Sequence, residues 1–201
     1  MGVIEEAVVA IRAGQPIVLP ADTVYGLATT AYLSDAVRRL YRIKNRPESL
    51  PAALLAKDLD MLFECVPELR GRSGLVARAL LPGPYTLVFP NPARRFPWLT
   101  GNRPDTIGVR VCALPDPARE VLAQVGAVVA TSANLHGQPD PRRADDVAEE
   151  IRAAVAVVVD AGELPGVRST VLDFTGEEPQ VVRAGAGPAG EAIERALAAL
   201  A

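Results

Sequence analysis

Short apolar runs, each giving way at once to small polar residues, constrain this chain more than any other feature. Ala127-Val128-Val129-Ala130 leads directly into Thr131-Ser132-Ala133-Asn134-Leu135-His136-Gly137, and Pro16-Ile17-Val18-Leu19-Pro20 leads into Ala21-Asp22-Thr23-Val24-Tyr25-Gly26-Leu27. Runs this short, bounded by turn-forming residues, read as strands buried on both faces. Polar loops at the carboxyl ends of strands are where open α/β sheets place their ligands. A plain turn, in which Asp22 and Thr23 satisfy local backbone groups, is the competing reading.

Helical patterns alternate with the strands. Val3, Ile4, Ala7, Val8 and Ile11 recur at helical spacing before Gly14, and Ser34 caps a helix through Ala36, Val37, Leu40 and Tyr41. Further helices are expected from Asp58 through Cys65, from Ser73 to Leu80, from Asp116 to Gly126, from Asp145 to Ala154 and from Pro188 to Leu200. Strands are expected at Pro51 to Ala56, Tyr85 to Phe89, Thr106 to Cys112, Val155 to Asp160, Ser169 to Phe174 and Pro179 to Arg183, the last two joined by a turn at Gly176-Glu177-Glu178. Together these predict one α/β domain over residues 1–201, an open twisted mixed sheet with interleaved helices. Residues 90 to 105, with four prolines and three arginines, form the longest expected loop, and long loops in compact domains are often functional. Trp98, the only tryptophan, reads as the packing anchor of that loop.

Composition narrows the function. A net charge of -3 argues against a general nucleic-acid binder, which carries a domain-wide basic excess. Cys65 and Cys112 are isolated, as expected of buried reduced thiols. The acidic N-terminus is unlike a signal peptide, and no apolar stretch approaches the roughly 20 residues that span a bilayer; a cytoplasmic protein without a membrane partner is expected. With His136 the single histidine, neither a His-based zinc site nor a Ser-His triad has an obvious second member; His136 reads as a loop residue, and no protein metal site is expected. Gly185-Ala186-Gly187-Pro188-Ala189-Gly190 spells the dinucleotide fingerprint, but no strand or ribose-binding acid follows it, so it reads as a chance match. What is left is a set of hydroxyls, amides and cations at strand ends, suited to binding and orienting anions.

The densest such set surrounds Ile43-Lys44-Asn45-Arg46-Pro47. Only two of the 21 basic residues are lysines, and no acid lies between Arg38 and Arg46. Arg38, Arg39 and Arg42 suit the wet face of a helix. Pro47 resists helical geometry at Arg46, and an extended Lys-x-Arg would point both cations into one space. Arg110, inside an apolar strand, needs a partner unless it faces water on an edge strand.

Six blocks occur in order: Pro20-Ala21-Asp22-Thr23-Val24-Tyr25-Gly26-Leu27, Lys44-Asn45-Arg46-Pro47, Pro82-Gly83-Pro84-Tyr85-Thr86, Ile107-Gly108-Val109-Arg110, Thr131-Ser132-Ala133-Asn134 and Arg168-Ser169-Thr170-Val171. They resemble the YrdC/TsaC family, the threonylcarbamoyl-AMP synthases, from about Ile17 to Arg183, and the form without an extra C-terminal domain. The resemblance implies a nucleotidyltransferase that joins L-threonine, bicarbonate and ATP into threonylcarbamoyl-AMP and pyrophosphate. That product feeds a tRNA threonylcarbamoyl transferase complex. By the same resemblance Lys44, Arg46, Ser132 and Asn134 form the catalytic tetrad around the nucleotide phosphates, with Thr106, Asp140 and Arg183 as further ATP contacts. Thr23, Arg110, Ala130 and Ser169 would hold threonine, and Mg²⁺ would arrive with ATP. The chain departs from the family pattern in Pro-Ala-Asp-Thr for the commoner Pro-Thr-Glu-Thr, in Leu50, and in Leu55, where some members have histidine. Those changes bear on affinity and on threonine against serine selectivity. Two other readings are an RNA-binding module using the Arg38 to Arg46 face, and carbamoyl-adenylate chemistry of the kind found in hydrogenase maturation proteins.

Overall fold

The computed structural model describes residues 2–201. Helix α1 (Val3–Arg12) carries Ala7, Val8, Ala10 and Ile11 on its buried face, and the chain reverses at Gly14, whose φ is +72°. Strand β1 (Ile17–Pro20) follows. The stretch expected to be a polar loop from Ala21 to Leu27 is instead a tight reversal into a second strand, β2 (Tyr25–Thr30), antiparallel to β1. All six β2 residues are buried, so the strand shows no polar–apolar alternation. Its small residues, Gly26, Ala28, Thr29 and Thr30, mimic loop composition.

Helix α2 (Ser34–Ile43) buries Ala36, Val37, Leu40 and Tyr41, leaving Arg38, Arg39 and Arg42 exposed. Next come β3 (Ala53–Ala56), α3 (Leu59–Cys65), α4 (Arg72–Leu80), β4 (Tyr85–Pro90) and β5 (Thr106–Arg110). Asp58 caps α3, accepting from the Met61 amide at 2.7 Å. Helix α5 (Asp116–Val125), β6 (Ala127–Ser132), α6 (Glu149–Ala154), β7 (Val157–Val158), β8 (Thr170–Asp173), β9 (Gln180–Arg183) and α7 (Ala189–Ala198) complete the chain. The helix expected from Asp145 begins as a 3₁₀ turn at Ala144–Asp146 and is broken by extended Val147 and Ala148. The strand expected from Val155 pairs only at Val157 and Val158, against β1.

The nine strands form one mixed sheet in the order β7-β1-β2-β6-β3-β5-β4-β8-β9. Strands β3 and β5, β4 and β8, and β1 and β7 run parallel, and the other neighbours antiparallel. Arg110 therefore ends a central strand, between β3 and β4, which removes the edge-strand reading. Two apolar clusters cover the sheet. The larger gathers α2, α3, α4 and α7 around Leu54, Leu87 and Val129; the smaller packs α1 and α5 on Ile17, Leu55 and Val128. Cys65 and Cys112 are both free and buried, as expected. Trp98 anchors the long loop, donating from Nε1 to the Ala31 carbonyl at 2.8 Å and meeting Phe96 edge-on. Among the described residues no helix is long and apolar enough to cross a membrane.

Candidate active site

The middle strands β2, β6, β3, β5, β4 and β8 line a cavity of about 480 Å³. Small residues make the room. Gly26, Ala28, Ala53, Gly108 and Ala130 face it where larger side chains would fill it. Its polar lining comprises Thr23, Arg46, Thr86, Thr100, Arg103, Thr106, Arg110, Thr131, Ser132, Asp140, Arg168, Ser169 and Arg183. Nine of the eleven candidates from sequence thus share one space: Thr23, Arg46, Thr106, Arg110, Ala130, Ser132, Asp140, Ser169 and Arg183. Lys44 and Asn134 are absent from the lining and stand behind Ser132.

Lys44 is 3% exposed. Its Nζ donates to the carbonyls of Ser132 and Asn134, the latter at 2.5 Å, and to Asn134 Oδ1 at 2.9 Å. Ser132 Oγ bonds the same Asn134 Oδ1 at 2.6 Å. Three acceptors suit the three protons of an ammonium. Burial, and next the Arg46 guanidinium, lower the Lys44 pKa to about 8, so the residue remains cationic at neutral pH. The expected extended Lys-x-Arg does not occur. Lys44 is in the right-handed helical region and closes α2, while Asn45 takes φ 50°. That left-handed residue turns Lys44 down onto β6 and sends Arg46 into the cavity by another route.

Arg46 stacks over Tyr41, 5.3 Å from the ring centroid, and donates from Nη2 to the Pro51 carbonyl at 2.7 Å. Its Nη1 is buried without a partner. On the far side, Arg110 Nη2 bonds Asp22 Oδ1 at 2.7 Å, each side chain being 11% exposed. Arg110 Nε and Thr23 Oγ1 are likewise buried and unpartnered. Leaving buried donors unsatisfied costs about 1–3 kcal/mol each. Three such groups bordering one cavity therefore point to a ligand that completes them. Arg183 donates to the Ser169 carbonyl at 2.8 Å and to Ser169 Oγ at 3.2 Å, and Ser169 Oγ is 2.9 Å from Thr86 Oγ1. Burial, and then the charges of Arg168 and Arg110, lower the pKa of Arg183. Thr106 spends its hydroxyl proton on the Arg103 carbonyl.

Five polar lining residues escaped the sequence reading: Thr86, Thr100, Arg103, Thr131 and Arg168. Thr86, Thr131 and Arg168 lie inside the quoted blocks, so the signal was present. Arg103 belongs to the long loop, which reaches the cavity through Thr100 and Arg103. Leu55 forms part of the apolar floor, and Leu50 is exposed. Asp22 turns from a local turn residue into the partner Arg110 requires.

A mixed open sheet with a cavity among its central strands, lined by five arginines, defines an α/β protein that gathers cations in one cleft. The chain belongs to the Sua5/yciO/yrdC family, described as telomere recombination, whose signature matches residues 9–185. It is 33% identical over 188 residues to a threonylcarbamoyl-AMP synthase of Pyrococcus abyssi, covering 93% of this chain and 55% of that protein. Against a Pseudomonas syringae protein of the same name it is 34% identical, with 90% of this chain and 97% of that one covered. The structure of P. abyssi Sua5 complexed with L-threonine superposes with a TM-score of 0.86 at 32% identity, covering 96% of this chain and 56% of the other. The chain thus spans a little over half the length of its Pyrococcus relative.

Proposed function

We propose that this chain is a threonylcarbamoyl-AMP synthase, a cytoplasmic nucleotidyltransferase acting on L-threonine, bicarbonate and ATP. The observation that carries the reading is the convergence of Arg46 Nη1, Arg110 Nε and Thr23 Oγ1, all buried and unpartnered, on one cavity beside Arg183. The names of its relatives agree with it.

The chemistry asks for crowding of anions and no covalent enzyme intermediate. The threonine amine, once neutral, attacks bicarbonate to give an N-carboxylate and water. A carboxylate oxygen of that group then attacks the α-phosphate, and pyrophosphate leaves. Arg110 takes the amino acid's carboxylate with its planar fork, exchanging part of its bond to Asp22 for the ligand. Thr23 and Ser169 offer hydroxyls beside it, and the Ala130 backbone lines the same end. Arg46, Arg183 and Ser132 face the phosphates. Lys44 and Asn134 hold Ser132 in place, and their charge and amide dipole reach the phosphates from behind. Cations fixed before the substrate arrives lower the barrier where charge develops in the transition state, with little reorganisation.

The donor set bears on Mg²⁺. The cavity lining holds a single carboxylate, Asp140, already bonded to Arg168, and no cluster of three ligating side chains occurs among the described residues. That fits an ion carried in on triphosphate oxygens and water, the usual habit of Mg²⁺, where it would neutralise phosphate charge. The adenylate is a reactive mixed anhydride and requires a consumer, a tRNA threonylcarbamoyl transferase. The acidic total charge makes RNA binding through the Arg38 to Arg46 face the weaker second reading.

The test is pyrophosphate release measured with ATP, bicarbonate and threonine, then with each omitted, and with serine replacing threonine. Release is expected only with all three substrates. Release that ignores threonine would overturn the reading.

A further inference from the structure

We propose that Arg168, positioned by Asp140, binds the outer phosphates of the nucleotide; this rests on the nucleotide reading of the cavity given above. Both side chains line the cavity. Arg168 Nε donates to Asp140 Oδ2 at 2.6 Å, and Asp140 is fixed, its side chain only 7% exposed against 47% for Arg168. That single bond sets the plane of the guanidinium. Its two terminal nitrogens make no hydrogen bond among the described residues, so the outward edge of the fork is available to a ligand. Arg168 approaches on the segment leading into β8, Asp140 on the segment leaving β6, and the pair ties the two together at the cavity mouth.

The surroundings argue for an anion of several charges. Arg183, which lines the same cavity, feels Arg168 as a repelling cation that Asp140 only partly offsets, and a polyphosphate between the two relieves that repulsion. The half-exposed position of Arg168 suits the part of the ligand nearest the mouth, which is the part that leaves. As the bond from the α-phosphorus to its bridging oxygen breaks, that oxygen gains charge within the departing pyrophosphate, and a guanidinium there stabilises it. A lone Asp140 in this cavity would repel phosphate. Bonded to Nε, it instead orients a cation.

The test is calorimetric titration of the full chain with inorganic pyrophosphate and, separately, with AMP. Arg168→Ala is expected to weaken pyrophosphate binding about tenfold, the scale of a charge-assisted hydrogen bond at a half-exposed site, and to leave AMP binding unchanged. Arg168→Lys should recover part of the loss. Asp140→Asn should also weaken pyrophosphate binding, although it deletes a negative charge beside an anion. A change within twofold for Arg168→Ala, or equal weakening of pyrophosphate and AMP, would overturn the assignment to Arg168. Tighter pyrophosphate binding in Asp140→Asn would overturn the positioning role. If the wild type binds pyrophosphate but shows no threonine-dependent release, the synthase reading fails while the titration still judges Arg168.

Discussion

Lys44 shows how far a side chain's task depends on its surroundings. In the chain it is one end of a basic run, and a phosphate contact is the natural expectation. In the fold it is buried against two backbone carbonyls and the Asn134 side chain, holding the β6 exit that presents Ser132. Lys44→Met takes this donor from both carbonyls and leaves Asn134 Oδ1 with Ser132 Oγ alone, and we expect it to destabilise the protein by about 3 kcal/mol, measured by urea unfolding. The pH dependence follows from the lowered pKa, about 8 against an ordinary 10.5. Between those values the folded chain releases the Lys44 proton while the unfolded chain keeps it. Wild-type stability should therefore rise with pH across that window relative to Lys44→Met. An identical pH slope in the two proteins would refute the lowered pKa. Threonine-dependent activity should move the opposite way, falling as pH passes about 8 and the charge behind Ser132 is lost.

Among the elements, the segment after β9 shows why its dinucleotide pattern is a chance match. Gly185 and Gly187 belong to a sequence that spells a dinucleotide fingerprint, yet their role is one of close approach. A Cβ at Gly185 would collide with the backbone of Arg168 and Ser169, and one at Gly187 with the Tyr85 ring. The glycines let this segment run tightly along the start of β8, where Ala186 N–H bonds the Arg168 carbonyl and Thr170 Oγ1 bonds the Gly187 carbonyl at 2.6 Å. Gly185→Ala must displace Arg168, Ser169 or both. It is expected to cost about 1–3 kcal/mol, the usual penalty of overpacking, and to raise the KM for threonine more than Gly190→Ala does, whose Cβ meets nothing. Equal effects at Gly185 and Gly190 would show that the close approach is irrelevant to the site.

At the scale of the whole molecule, the cavity joins segments from residue 19 to residue 183, so a ligand bound there clamps nearly the full length of the chain. Any ligand selective for the folded state at 100 times its Kd adds about 2.7 kcal/mol. For a chain this size that corresponds to a rise in Tm of roughly 5–10 °C. We expect ATP to give such a shift in the wild type and a smaller one in Arg46→Ala; equal shifts would remove Arg46 from the nucleotide site. Much of this architecture was legible beforehand. The α/β class, most elements and nine of the residues that line the cavity could be read because apolar periodicity, caps and prolines act locally, and because the six blocks keep their order. β2 was missed because a strand buried on both faces and built of small residues carries no alternation. The pairing of Arg110 with Asp22, of Arg168 with Asp140, and the retreat of Lys44 behind Ser132 each join residues tens of positions apart. Local sequence has no term for such pairs. Composition and order determined that this chain folds as an α/β sheet and gathers cations at strand ends. Only the tertiary structure decided which cations face the cavity and which brace it, because desolvation and partner distance exist only once the strands are side by side.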